Sequence, residues 1–586
     1  MTSSLPLLGR FMYRNGAALI IAVCVGLVTA LPQIIQRVET GERYQGVAVR
    51  GTDTEEYYLI RIREAYDGHW RVASPDLYEY KQAPFVQPSI PEIVMGGAAR
   101  LLGLNIIDVV VAAKFLFPFL LSLVLYALVC AMTGQTLLAL LIPPAIVMAG
   151  QTLVSPTMVL RLLRLQAGAF TAMVDYARPV NPQFSSFVFF LWLWLWYTWA
   201  RNPLGHLRFV AGAALLGLMV YVYPYAWMLG IGIVGLTFLA SLFPRFRQQG
   251  MSPVRAGIYA GVSLFFTIPY WINFYRAFTH PVYEALQRRY GFYASREPIW
   301  SDLLFFDLLF LLVLYWRRKK DETFCLLLSF IAVIALLTNQ QVITGLRFYP
   351  GHWHWYYTTP LTIFLLIWGM LALLRHLRWL RSAVAAIIIM GSFTIGIAKQ
   401  TTAFARLRAS AEGEQRFAAP LQWLETHTQK DTVVMANGIF NELLPAYTHA
   451  NAYFSRWGEF YLVPHERFRD RMFARLYLDG ADEENIDQFV TGDRKDVYEY
   501  LFGRYRLRKG ECEGGCFDVA ELRRVKEEYL AWRADVDFEA FLKRYRLDYA
   551  IWDTQTNASW QLDQYPFFEF VTEVNGIRVY KFHSPS

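Results

Sequence analysis

Over roughly the first 400 residues, long apolar runs alternate with short polar stretches, and then the alternation stops. The runs lie at 16–37, 108–132, 136–155, 183–200, 208–223, 225–243, 256–275, 302–316, 323–338, 357–374 and 382–398. Their lengths predict bilayer-crossing helices. Any single run could be a buried helix of a soluble core, but eleven in succession read as a polytopic α-helical membrane protein. The region 208–243 is divided because Tyr221-Val222-Tyr223-Pro224-Tyr225 reads as an interfacial aromatic turn, and Pro224 disfavours a continuous helix.

With the N-terminus inside, eleven crossings end outside, and the loops sort accordingly. The inner loops are short and basic: Arg201/Arg208, Arg245/Arg247/Arg255, Arg317-Arg318-Lys319-Lys320 and Arg375/Arg378/Arg381. The positive-inside rule requires this. The long loops, 38–107, 156–182, 276–301 and 339–356, fall outside. Arg161, Arg164, Arg288 and Arg289 fall there too, against the rule, where an anionic lipid or substrate could use them. Arg10 and Arg14 precede the first run. That run is long for a signal peptide and lacks a small-x-small cleavage site, so a retained span is expected.

After about residue 400 charges become frequent and no spanning run follows. Thr432-Val433-Val434-Met435-Ala436 reads as a buried strand, and 519–545 as helices of mixed charge. Phe570–Tyr580 reads as strand, Asn575-Gly576 turn, strand. The expected organisation is therefore a transmembrane domain over 1–399 and a small α/β domain over 400–586 on the outer side. No long-period repeat or low-complexity segment is found.

Composition agrees. The 586 residues are 55% hydrophobic and 18% charged, against about 25% charged in soluble proteins. The net charge of +8 belongs to inner-loop anchoring, and no motif points to nucleic acid. Cys24, Cys130 and Cys325 lie in apolar runs as packing residues. Cys512 and Cys516 suit a disulfide if their segment is outside the cytosol; zinc would need two further ligands.

The candidate chemistry begins in the first outer loop, with Gly51-Thr52-Asp53-Thr54-Glu55-Glu56-Tyr57-Tyr58. Three carboxylates within four positions at a bilayer surface suit a catalyst that deprotonates a hydroxyl. The competing reading is a helix cap, since Thr52 or Asp53 with Glu three residues on makes a good N-terminus. The segment through Glu64 is expected to form an amphipathic helix lying along the membrane. The loop closes on Phe85-Val86-Gln87-Pro88-Ser89-Ile90.

The acidic motif after the first span, the Pro-rich loop end, the span count near eleven and the polar domain after the last span together make the chain resemble the GT-C class of membrane glycosyltransferases. That class includes protein O-mannosyltransferases, aminoarabinose transferases of lipid A and oligosaccharyltransferase catalytic subunits. Members often carry a His-Pro-Pro-Leu type segment late in the loop; Gln87 stands where His would be, which leaves the subfamily open. The resemblance implies Asp53 as the base, with Glu55 and Glu56 as fallbacks. It implies a polyprenyl-phosphate-linked sugar donor, a glycan, lipid or protein acceptor, and an active site on the periplasmic or extracellular face of a bacterial inner membrane.

Two further loops carry substrate-binding candidates. Asp175-Tyr176-Ala177-Arg178-Pro179-Val180-Asn181-Pro182 precedes a span. Class members use a second acidic residue in such a place for a metal or the acceptor, and Arg178 could hold a phosphate. The alternative is a polar helix entry stiffened by two prolines. In the loop 339–356, Gln340, Arg347, His352 and His354 suit a lipid-linked phosphate; an interfacial aromatic belt accounts for Trp353, Trp355 and Tyr356. No cofactor is indicated, and a divalent metal remains open. Walker, His-Glu-x-x-His and Gly-x-Ser-x-Gly motifs are absent. The alternatives are a polysaccharide polymerase or ligase, and a lipid or glycan transporter with an outer accessory domain. A transporter should show mid-span ionisable groups, and Lys114 and Asp307 are the candidates.

Overall fold

A computed structural model describes residues 7–164, 170, 172–202, 205–242, 252–316, 322–492, 497, 501–503 and 519–583. The loops carrying Arg245, Arg247 and Arg317–Lys320, and the pair Cys512/Cys516, lie outside the described residues. The chain is mostly helical, with a small sheet near its C-terminal end, the architecture of a polytopic membrane protein. Each of the eleven apolar runs coincides with helix.

Among the described residues, six helices are long and apolar enough to cross a bilayer: Ile106–Thr133, Thr136–Val154, Pro224–Leu242, Glu322–Thr344, Gly351–Leu373 and one beginning at Arg378. A seventh crossing would combine Asn15–Thr29 with Leu31–Arg43, which meet at a 57° bend. Pro32 sits in the first turn of the second member, where its missing N–H costs nothing. The division at Tyr221–Pro224 is also present: a helix ends near Leu218 and another starts at Pro224.

The helix Arg378–Gly413 does not stop where the polar texture begins. Its 36 residues run from the apolar segment into the C-terminal region. There β3 (Val433–Ala436), β4 (Asn451–Ala452), β5 (Tyr549–Asp553), β6 (Phe568–Val574) and β7 (Ile577–Phe582) form a sheet of order β4-β3-β5-β7-β6. β3 is parallel to both β4 and β5, and every residue of β3 is buried. The expected hairpin is β6–β7, with Val574 opposite Ile577 across Asn575-Gly576. Both turn residues have positive φ, 54° and 76°, as a two-residue hairpin turn requires. A separate two-stranded ladder pairs β1 (Tyr293–Ala294) with β2 (Leu346–Arg347).

The first outer loop departs from expectation. Its helix, Glu55–Tyr66, presents no solvated polar face of the kind an amphipathic surface helix needs. It packs between Ile90–Leu102 and Phe440–Tyr447, and ten of its twelve residues are buried. The charges that suggested amphipathicity are matched internally. Arg61, fully buried, donates to Glu92 Oε1 at 2.5 Å and to the Pro88 carbonyl at 2.7 Å. Arg63 reaches Asp67 at 2.8 Å and Glu425 at 2.7 Å, and Lys81 pairs with Glu64 at 2.5 Å. Buried charges persist only when paired in this way.

The same contacts attach the loop to the C-terminal region. Arg50 pairs with Glu414 at 2.7 Å, His69 with Asp431 at 3.1 Å, and the Ala452 N–H donates to the Asp76 carbonyl at 3.0 Å. The last bond occupies part of the free edge of β4, which would otherwise be open to pairing.

Candidate functional site

The turn that carries Asp53 is built by its neighbours. Gly51 has no room for a side chain: a Cβ there would stand 2.3 Å from Met173 and 2.6 Å from Leu407. Thr54 adopts a left-handed conformation, φ 57°, at a cost of about 1 kcal/mol or more for a β-branched residue. Glu55 holds the turn closed. Its Oε2 accepts from the Gly51 and Thr52 N–H groups, each at 3.2 Å, and from the Thr52 hydroxyl at 2.8 Å. This is the reach-back half of a capping box.

The other oxygen of Glu55 takes the ammonium of Lys114 from Ile106–Thr133, with both side chains nearly fully buried. Burial alone would raise the Glu55 carboxyl. Lys114 and the Thr52 hydrogen bonds outweigh it and hold the carboxyl below its ordinary value. Glu56 is half-buried against Arg50 at 3.2 Å, and burial raises its carboxyl. Both are committed to the protein.

Asp53 is left at the tip. It is exposed, and it makes no hydrogen bond or ion pair with a described residue. The helix N-cap position is Thr54, and no side chain caps it there. The cap reading therefore falls to the pair Thr52 and Glu55, not to Asp53.

The second loop comes to the same place. Its backbone is anchored when the Val174 N–H donates to Gln400 Oε1 at 3.1 Å. A short helical turn at Asp175–Ala177 then delivers Arg178. Arg178 donates to the Tyr58 hydroxyl at 3.0 Å and lies over that ring, 5.3 Å from its centroid. Its Nε is buried without a hydrogen-bond partner, and Asp53 is among the charges that act on it. Asp175 is exposed and lies within the fields of Lys399 and Arg178.

The loop 339–356 contributes only its end. Tyr356 lies within electrostatic reach of Arg178, Asp175, Tyr58 and Asp53. His352 stacks on Tyr223 at 5.8 Å and 19°, and its Nδ1 meets the Tyr223 hydroxyl. Tyr223 lies in turn 6.4 Å from Tyr356. Asp53, Asp175, Arg178 and His352 thus come from three loops to one tyrosine-lined cluster.

The remaining candidates have other surroundings. Asn181 is buried, and its Oδ1 accepts from Ser185 at 2.6 Å, steadying the start of Gln183–Arg201. Gln340 ties its own loop together, with Nε2 to the Leu346 carbonyl at 2.8 Å and Oε1 from Thr344 at 2.7 Å. Arg347 pairs through β2 with Tyr293, stacks over that ring at 5.5 Å, and makes no ion pair with a described residue. His354 is half-buried at the start of the helical segment leading to Thr358.

Tyr58, Tyr223 and Tyr356 carry the cluster; sequence reasoning offered the aromatics of the loop around Tyr356 for stacking on sugar rings or as an interfacial belt, and gave Tyr58 and Tyr223 no part in a site. Tyr58 stood within the acidic motif, Tyr223 in an interfacial turn and Tyr356 in an aromatic belt. Among the described residues no group of three or more His, Cys, Asp or Glu side chains is placed to hold a metal ion.

No family model and no curated protein matches the chain. Among solved structures it is similar to the crystal structure of the Archaeoglobus fulgidus oligosaccharyltransferase in complex with zinc and sulfate. The two are 12% identical over 96% of this chain and 72% of that one, with a TM-score of 0.42.

Proposed function

We propose that this protein is a GT-C-type membrane glycosyltransferase. It transfers a sugar from a polyprenyl-phosphate donor to a hydroxyl of a glycan, lipid or protein acceptor, on the non-cytoplasmic face of the membrane. The observation that carries this reading is the juxtaposition of an exposed, unpaired carboxylate, Asp53, with a guanidinium, Arg178, whose Nε is buried and unpartnered. The first suits a base and the second an anion.

Asp53 takes the proton of the acceptor hydroxyl. The freed oxygen bonds to the anomeric carbon as the carbon–oxygen bond to phosphate breaks, and the phosphate leaves with the electron pair. One such displacement inverts the anomeric centre. The phosphodiester gains negative charge as the sugar departs, so a guanidinium beside it interacts more strongly in the transition state than before. Arg178 fills that role with Tyr58 fixing its plane. A transport path needs accessible mid-span charges, whereas Lys114 is closed off by Glu55 and Asp307 accepts a hydrogen bond from Thr362 at 3.1 Å.

The test is Asp53→Asn in purified, lipid-reconstituted protein, assayed with a radiolabelled polyprenyl-phosphate sugar. Asparagine keeps the size but cannot take a proton. Transfer should fall by about 10²–10⁴-fold while unfolding behaviour is unchanged. Normal turnover by the folded variant would remove Asp53 as the base.

A further inference from the structure

The C-terminal region contains a cavity of about 550 Å³, whose described lining shares no residue with this cluster, within the range of small-molecule sites. Its position follows from the sheet. β3 is flanked by two parallel strands. The connection leaving β3 runs through Phe440–Tyr447 to β4 on one side, while the chain leaving β5 turns away towards β6 and β7 on the other. Adjacent parallel strands whose connections depart in opposite directions leave a crevice at their carboxyl ends, and ligands bind there.

The cavity lies at that point. Asn437 and Gly438 follow β3, Phe454 and Arg456 follow β4, and Thr556 and Asn557 follow β5. Gly438, at φ 58°, lets the first and third of these loops approach: a Cβ there would stand 2.6 Å from the Thr556 methyl.

The lining selects against a charged ligand. Arg456 pairs with Glu442 and Arg475 with Asp479, and Glu459 adds a further carboxylate. Among the described lining residues, two guanidiniums stand against three carboxylates, a balance that disfavours a phosphate. What the wall offers is donors and acceptors in close alternation. One acceptor is left over: Asn441 Nδ2 donates to the Phe454 carbonyl at 2.6 Å, which fixes the amide, and its Oδ1 is buried with no partner. A half-buried aromatic, Phe489, also lines the cavity. Vicinal hydroxyls, each able to donate and accept, satisfy such a wall, and a pyranose ring has an apolar face for an aromatic side chain. A peptide would call for an extended groove with backbone partners.

We propose that this cavity is a saccharide-binding site for one or two neutral sugar units, separate from the Asp53 cluster. It would hold a glycan by the C-terminal region whether or not the transfer reaction proposed above is correct.

The experiment uses the full chain in lipid nanodiscs, since maltoside detergents would compete. Saturation-transfer NMR is read against a panel of glucose, galactose, mannose and N-acetylglucosamine, with their β-linked disaccharides. Inorganic phosphate and a neutral tripeptide serve as controls. At least one saccharide should bind. Asn441→Leu and Glu442→Gln should each weaken it tenfold or more, and so should Arg456→Ala, whose side chain is half-exposed; unfolding curves of each variant show that the fold is kept. Asp53→Asn should leave it unchanged. Binding that survives all three cavity variants would overturn the proposal, as would phosphate or peptide binding in place of every saccharide, or no binding at all.

Discussion

The pair Lys114–Glu55 gives the sharpest quantitative test. Its side chains are 1% and 3% exposed, so removing one partner strands a charge away from water. Losses from breaking such pairs run to about 3–5 kcal/mol, whereas replacing both partners can be nearly neutral. The structure separates the two single variants. In Lys114→Met, the Glu55 carboxylate keeps three hydrogen bonds from Gly51 and Thr52, which places the cost near 3 kcal/mol. In Glu55→Gln, the ammonium loses its only ion-pair partner among the described residues and the turn loses its charged clasp, which places the cost near 5 kcal/mol. The double variant should lose far less than the sum, a coupling of about 3 kcal/mol in a double-mutant cycle. Unfolding in mixed micelles, followed by circular dichroism for wild type and all three variants, measures it. Additive single losses, or an Glu55→Gln protein as stable as wild type, would show that the pair is not buried as described. Glu55 would then return as a candidate base.

Arg178→Ala should lower kcat/KM for the donor by about ten- to a hundredfold, the loss expected for a charge-assisted hydrogen bond, mainly through kcat because the interaction strengthens in the transition state, with partial rescue by Arg178→Lys; Arg347→Ala should change it less, and the reverse order in donor-saturation kinetics would move the phosphate to β2. Burial pushes Glu64 up to about 7 despite Lys81 beside it and His69 nearby. Between the unfolded carboxyl value and about 7 the unfolded state therefore binds fewer protons, and stability should fall as pH rises through that window; Glu64→Gln should flatten this slope in unfolding curves taken from pH 4.5 to 7.5. A reporter active only outside the cytosol should function when fused after Ser586, and activity restricted to the cytosol would reverse the sidedness on which the proposed function depends.

The sequence was most legible where one physical demand dominates. Bilayer-length apolar runs leave the backbone no option but helix, and each of them is helical. Asn575-Gly576 between alternating strands permits little besides a tight hairpin. The charged positions were harder to read. Arg61, Arg63 and Glu64 looked like the wet face of a surface helix, because their partners Glu92, Glu425 and Lys81 lie on segments that only the tertiary fold brings near. Lys114 looked like an isolated mid-span charge for the same reason, its partner being 59 positions away. Within the candidate site, residue type identified Asp53, Asp175, Arg178 and His352. The reach of each loop decides which candidates meet: Gln340 and Arg347 are equally suitable by chemistry, yet nothing local to their segment tells that one ties its own loop and the other stacks on Tyr293.

The uninterrupted helix Arg378–Gly413 spans about 54 Å at 1.5 Å per residue. It behaves as a drive shaft between the bilayer and the sheet. Inserting one residue near its polar end would turn everything beyond it by about 100°. Arg50 could then no longer reach Glu414, nor could Gln415 accept the Gln45 N–H, a bond of 2.9 Å. Helical phase, and not only length, therefore registers the C-terminal region against the loop that presents Asp53. Insertions in multiples that restore the phase should be tolerated only if the added rise of about 5.4 Å per turn is absorbed elsewhere.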